Sequence, residues 1–140
     1  MVREAVEDFF LNKFDTGRIF EVLERSEYLV LYNVRLCMER SGEDRVYMSE
    51  LAEQMKLSVV KTSEAVKDLE NKGYLTWQMD ENKERTFVGL TDKAKDAMER
   101  QNEFMEKAYR QIMDEIPEEE LRQTMRTLGK MREILKAQAV

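Results

Sequence analysis

The stretch Met48-Ser49-Glu50-Leu51-Ala52-Glu53-Gln54-Met55-Lys56-Leu57-Ser58-Val59-Val60-Lys61-Thr62 decides how this chain is read. Ser49 to Met55 has room for only two helical turns. Lys56-Leu57-Ser58 then interrupts, and Ser58 has the hydroxyl of a good N-cap. A second helix runs from there to about Lys72 and stops at Gly73, a favourable residue just past a helix end. Thr62, Ala65, Val66 and Leu69 form its i, i+3, i+4, i+7 face. Leu51, Ala52, Met55, Leu57, Thr62 and Ala65 are the inward positions of such a helix pair, and Ala52 is small where the helices would cross. A glycine is common in a turn of this kind. Lys56 stands there instead, at a cost of about 1 kcal/mol if the turn needs a left-handed residue.

Downstream the period changes from helical to two. Leu75, Trp77 and Met79 alternate with Tyr74, Thr76 and Gln78; Asp80 to Glu84 are polar turn material; Arg85 to Leu90 makes a second strand. Short helix, three-residue turn, helix and β-hairpin is the layout of a winged helix-turn-helix. Its second helix fits the major groove of B-DNA, its first braces across the backbone, and its hairpin tip reaches neighbouring phosphates or the minor groove.

Upstream, Val2, Val6, Phe9, Phe10 and Phe14 share a helical face, and Asp15-Thr16-Gly17 reads as a break. Ser26 is the expected N-cap of a helix from Glu27 to about Arg40, apolar nearly all round, ended by Ser41-Gly42-Glu43-Asp44. Val46-Tyr47 reads as a short strand. After the hairpin, Thr91 caps a long helix with Ala94, Ala97, Met98, Gln101, Met105, Ala108 and Ile112 on one side. Pro117 restarts the chain at a first helical position with Glu118, Glu119 and Glu120 behind it, and Leu121, Met125, Leu128 and Leu135 form the last stripe.

Around these elements the chain resembles the MarR (multiple antibiotic resistance regulator) transcription factors. The matching stretches are Met48 to Ser58, then Val66-Lys67-Asp68-Leu69-Glu70-Asn71-Lys72-Gly73-Tyr74-Leu75, then Leu90-Thr91-Asp92-Lys93-Ala94. The likeness covers about residues 27 to 136. It implies a mainly α fold with a small β-hairpin: a winged helix-turn-helix over 45–91, and a helical dimerisation region from both termini, 1–40 and 92–140, in a single domain. It implies a homodimer on a pseudo-palindromic operator in double-stranded DNA, acting as a repressor, with a small aromatic or apolar effector that weakens DNA binding. Phe20, Tyr28 and Tyr32 lie in the first two helices, where that family has its ligand cavity. The family's wing usually carries an Asp two residues ahead of an Arg; here Lys83 stands at the Asp position and Arg85 lies one residue nearer Leu90-Thr91.

The expected DNA contacts are Ser58, Val59, Val60, Lys61, Ser63, Glu64 and Lys67 on the second helix, and Lys83 and Arg85 on the wing. An exposed valine can meet a thymine methyl, and an acid can accept from cytosine N4. Solvent alone gives no reason to start an exposed helix with two valines.

Composition narrows the field. The 140 residues suit one core. Apolar residues at 42% argue against disorder, and 5 Gly with 1 Pro against an all-β fold. No apolar run approaches membrane-spanning length, and no signal peptide opens the chain, so a cytoplasmic protein without a membrane partner is expected. With no His, no nucleophile beside a base and no phosphate loop, neither an enzyme nor a cofactor or metal site is expected. Cys37 sits within an apolar helix and reads as a buried structural thiol rather than a redox sensor. The net charge of −6 is unusual for a nucleic-acid binder. On the recognition helix Lys61, Lys67 and Lys72 are matched by Glu64, Asp68 and Glu70. This motivates a second expectation: a winged-helix dimer that binds DNA weakly and acts through a protein or ligand.

Overall fold

The structure, a computed structural model, describes residues 2–13 and 19–138. Phe14 and the Asp15-Thr16-Gly17 break lie outside the described residues. Two compact units are present, Met1–Phe104 and Met105–Val140. The elements are α1 (Val2–Asp8, continued by a π-helical turn, Phe9–Lys13), α2 (Arg25–Ser41), β1 (Val46–Tyr47), α3 (Met48–Met55), α4 (Val59–Asn71), β2 (Leu75–Met79), β3 (Thr86–Leu90), α5 (Asp92–Glu115) and α6 (Glu118–Gln138). The helix-turn-helix and hairpin expected from the periodicity are therefore present, and the short strand Val46-Tyr47 completes a sheet of order β1-β3-β2. Both pairings are antiparallel; Val46 faces Val88, Tyr47 faces Phe87, and Trp77 also pairs with Val88.

The core of the first unit gathers Leu31, Val34, Val46, Leu51, Ala52, Val66, Leu69, Leu75, Val88, Ala94, Ala97 and Met98, all buried. Leu51, Ala52, Val66 and Leu69 of the expected inward residues are among them, and Thr62 is buried as well. Leu57 is the exception: it is 42% exposed, because the turn that places Ser58 as a cap swings it outward. Met55 and Ala65 are half-buried.

Local chemistry explains several boundaries. Ser26 is not the cap of α2. Glu24 holds that place in extended backbone, and its N–H donates to the Glu27 carboxylate at 3.0 Å, so the helix starts earlier than its apolar residues suggest. Gly42 ends α2 at φ 73°, a left-handed conformation that costs glycine little. Phe20 lies in the irregular stretch before α2, not in a helix. Pro117 precedes α6 rather than opening it, and its carbonyl accepts from the Leu121 N–H.

Lys56 does adopt the left-handed conformation, φ 57° and ψ 41°, at the end of α3. A β-carbon there is strained, so Lys56→Gly is expected to stabilise the fold by about 1 kcal/mol. That would raise the melting midpoint by about 3 °C. Thermal unfolding checks this; a midpoint that falls would show that unfolded-chain entropy outweighs the strain.

In the second unit, α6 buries none of its residues, and Tyr109, Ile112, Met113, Met125, Ile134 and Leu135 are exposed. Ile112 thus departs from the inward stripe that Ala94, Ala97, Met98, Gln101 and Met105 do form. In the first unit Val2, Val6, Phe10 and Leu11 are exposed as well.

Candidate nucleic-acid interface

Helix α4 is fastened at both ends and along its back. At its start the Ser58 hydroxyl accepts from the Lys61 N–H at 3.1 Å. The fully buried Thr62 hydroxyl donates to the Ser58 carbonyl at 2.9 Å. Behind it Val66 and Leu69 join the core. At its end the Lys72 ammonium meets the Glu27 carboxylate of α2 at 2.6 Å. Burial pushes the Glu27 carboxyl up, but hydrogen bonds from Lys72 and from the Glu24 N–H, with the Lys72 charge, hold it below its usual range. Glu27 therefore favours folding above the ordinary carboxylate range, and that contribution disappears as pH falls through its lowered pKa.

This fastening fixes what α4 presents. Val59 (52% exposed), Val60 (68%), Lys61, Glu64 and Lys67 point outward, as the spacing predicts; Ser63 is half-buried. Two apolar side chains at the exposed start of a helix, beside two lysines, suit thymine methyls and phosphates.

The wing is closed by an acid. The Asp80 carboxylate accepts from the N–H groups of Glu84 at 3.0 Å and Arg85 at 3.4 Å, and the Asp80 N–H donates to the Arg85 carbonyl at 2.8 Å. One of the tip's negative charges thus builds the turn. Lys83 stands exposed within it at φ 57°. Strand β3 begins at Thr86, one residue later than the sequence pattern suggests, because Arg85 belongs to this closure.

Arg85 does not extend from the wing alone. Its guanidinium carbon lies 3.7 Å from the centre of the Tyr47 ring, Nη2 donates to the Ser49 hydroxyl at 3.1 Å, and Glu50 is 3.9 Å away. The structure thus places Arg85 against the first turn of α3. Sequence reading missed Arg45, whose guanidinium carbon lies 4.4 Å from the centre of the Phe87 ring. The signal was the two-residue spacing Arg45–Tyr47 and Arg85–Phe87, each arginine just ahead of a strand, which means nothing until the register of the two strands is known.

Phe20, Tyr28 and Tyr32 do come together: ring centres are 5.9 Å apart for Phe20 and Tyr28 and 6.0 Å for Tyr28 and Tyr32, with Arg35 over Tyr32. Cys37 is buried, and burial pushes its thiol up, with Arg40 opposing and Glu50 adding to the shift. Such a thiol is a poor nucleophile. Among the described residues no helix is long and apolar enough to cross a membrane.

Residues 23–94, just over half of the chain, match the family described as a winged helix DNA-binding domain. No curated protein matches the chain. Among solved structures, the organohalide-sensing transcriptional regulator RdhR in its 2,4-dichlorophenol-bound form is similar, with TM-score 0.64, 22% identity, and 94% of this chain and 73% of that one covered. A mutant of Staphylococcus aureus MepR bound to an oligodeoxyribonucleotide has TM-score 0.59, 16% identity, and coverage of 96% and 94%. A mutant of MarR from E. coli has TM-score 0.60, 14% identity, and coverage of 94% and 96%.

Proposed function

From the premise that the chain belongs to the winged-helix DNA-binding domain family and has the fold of MarR-family regulators, we propose that it is a dimeric DNA-binding transcriptional regulator. The observation that carries this is the outward face of α4: Val59, Val60, Lys61, Glu64 and Lys67 exposed on a helix that is capped, backed and clamped. A helix held this way presents a fixed surface to a groove at little entropic cost. Lys61 and Lys67 take phosphates, with Lys83 and Arg85 adding contacts from the wing, and Ser58, Ser63 and Glu64 lie where polar base or backbone contacts form.

Exposed apolar side chains at both chain ends support the dimer, since monomers rarely expose large apolar patches. Two copies place two α4 helices on a pseudo-palindromic operator, where the protein acts as a cytoplasmic repressor. The Phe20–Tyr28–Tyr32 ladder suits a small aromatic or apolar effector, and RdhR, of similar fold, is known in a dichlorophenol-bound form. A chain with no His and with only a buried, raised thiol is suited to binding rather than catalysis.

A second reading, a winged-helix dimer with weak DNA binding that works through a protein or ligand, is favoured by one observation. Arg85 is already engaged by Ser49 and Glu50 within its own chain. Selection of bound fragments from pooled genomic DNA, with light scattering for mass, separates the two. The first reading expects a dimer that enriches one pseudo-palindromic sequence; a dimer that enriches none at low salt supports the second, and a monomer counts against both.

A further inference from the structure

The outer face of the small sheet carries two arginines on two aromatic rings. Tyr47 and Phe87 are register partners, and their rings meet edge to face with centres 6.5 Å apart. Side chains alternate along a strand, so this pair faces away from the buried Val46–Val88 pair. The Arg45 guanidinium carbon lies 4.4 Å from the Phe87 ring centre and 5.8 Å from that of Tyr47; the Arg85 guanidinium carbon lies 3.7 Å from the Tyr47 centre. Both cations therefore share one ring. Stacking occupies the face of a guanidinium and leaves its edge N–H groups to donate. Arg45 is in no ion pair among the described residues, and Arg85 has one, with Glu50 at 3.9 Å.

We propose that this face is a further DNA contact, in which Arg45 and Arg85 bind backbone phosphates beside the site that α4 reads, and in which phosphate displaces Glu50 from Arg85. This rests on the DNA-binding reading above. Duplex DNA is favoured as the partner because the array is continuous with the first turn of α3, through Ser49 and Glu50, and α3 is the helix that such folds lay across the backbone. The rings hold both arginines in place before DNA arrives, which spares the entropy of ordering two long side chains. Glu50 is the weaker partner: an ion pair at 3.9 Å between half-exposed groups holds loosely, whereas a phosphate accepts two parallel N–H bonds. Glu50 thus acts as an internal competitor that limits affinity for any DNA, whatever its sequence.

Fluorescence anisotropy with a random-sequence duplex of about 30 base pairs, titrated between roughly 50 and 200 mM salt, tests this. Arg45→Gln is expected to weaken binding about 3- to 10-fold and to lower the salt slope by about 1 per protomer, with Arg45→Lys restoring the slope. Tyr47→Leu should weaken binding while Tyr47→Phe, which keeps the ring, should not. Glu50→Gln should tighten binding about 3-fold, and only while Arg85 is present; in an Arg85→Gln background it should change nothing. Wild type that binds while Arg45→Gln leaves the slope unchanged overturns the inference alone. So does a Glu50→Gln gain that persists without Arg85, which would be general charge repulsion. Wild type that fails to bind at low salt overturns the DNA-binding reading and this inference together.

Discussion

Replacing Gln101 with leucine is expected to destabilise the first unit by about 3 kcal/mol or more and to lower its melting midpoint by about 10 °C. Gln101 is the fully buried polar side chain on the inward stripe of α5. Its Oε1 accepts from the backbone N–H of Val22 at 2.9 Å and of Leu23 at 3.1 Å, and its Nε2 donates to the Ile19 carbonyl. Residues 19–23 belong to no helix or sheet ladder long enough to satisfy these groups. Leucine fills similar space but strands two donors and one acceptor, each costing about 1–3 kcal/mol when buried. The same bonds seat Leu23 in the core and set where Phe20 begins the aromatic ladder. Hydrogen exchange at the Val22 and Leu23 amides should therefore accelerate more than the global loss requires. A variant as stable as wild type would mean that water replaces the side chain.

Reversing charge at Lys61 and Lys67 together, Lys61→Glu with Lys67→Glu, is expected to weaken DNA binding more than about 100-fold at roughly 100 mM salt. Both side chains stand on the exposed face of α4. On the proposed function each substitution would remove a phosphate contact and add a repulsion, and the proposed dimer would double both. Neither residue forms an ion pair among the described residues, so the melting midpoint should stay nearly unchanged. An anisotropy titration alongside a melting curve gives both numbers. Unchanged DNA affinity with an intact fold would remove α4 from the interface and leave the second reading standing.

The net charge of −6 is less of an obstacle than its size suggests. Glu27 is tied to Lys72, Asp80 closes the wing turn, and Glu118 pairs with Arg122 one turn on. Charges spent on such tasks say little about the surface offered to a partner. Glu64 on α4, Glu50 beside Arg85, and the exposed Glu81 and Glu84 of the wing tip are acids at the proposed interface.

What the sequence determined by itself was local. The order of elements, the Ser58 cap, the inward Thr62, Val66 and Leu69, and the exposed Val59, Val60, Lys61 and Lys67 all follow from a 3.6-residue period and from bonds spanning three or four residues. The left-handed turn at Lys56 was only a condition in the sequence, raised by the glycine common at that place, and the structure decided it. Local signals also misled: Ser26 has the side chain of a cap but Glu24 holds that place, and Leu57 is exposed although the spacing counts it among the inward positions. Only the tertiary structure decided the rest. Arg85 meets Ser49 across 36 residues, Gln101 meets Ile19 across 82, and Arg45 joins the array only because Tyr47 is in register with Phe87. No periodicity encodes which strand position faces which, or where one buried amide finds three backbone partners. Those pairings are set by packing of the whole unit around Leu31, Leu51 and Val88, and they decide which of the legible side chains are free to meet DNA.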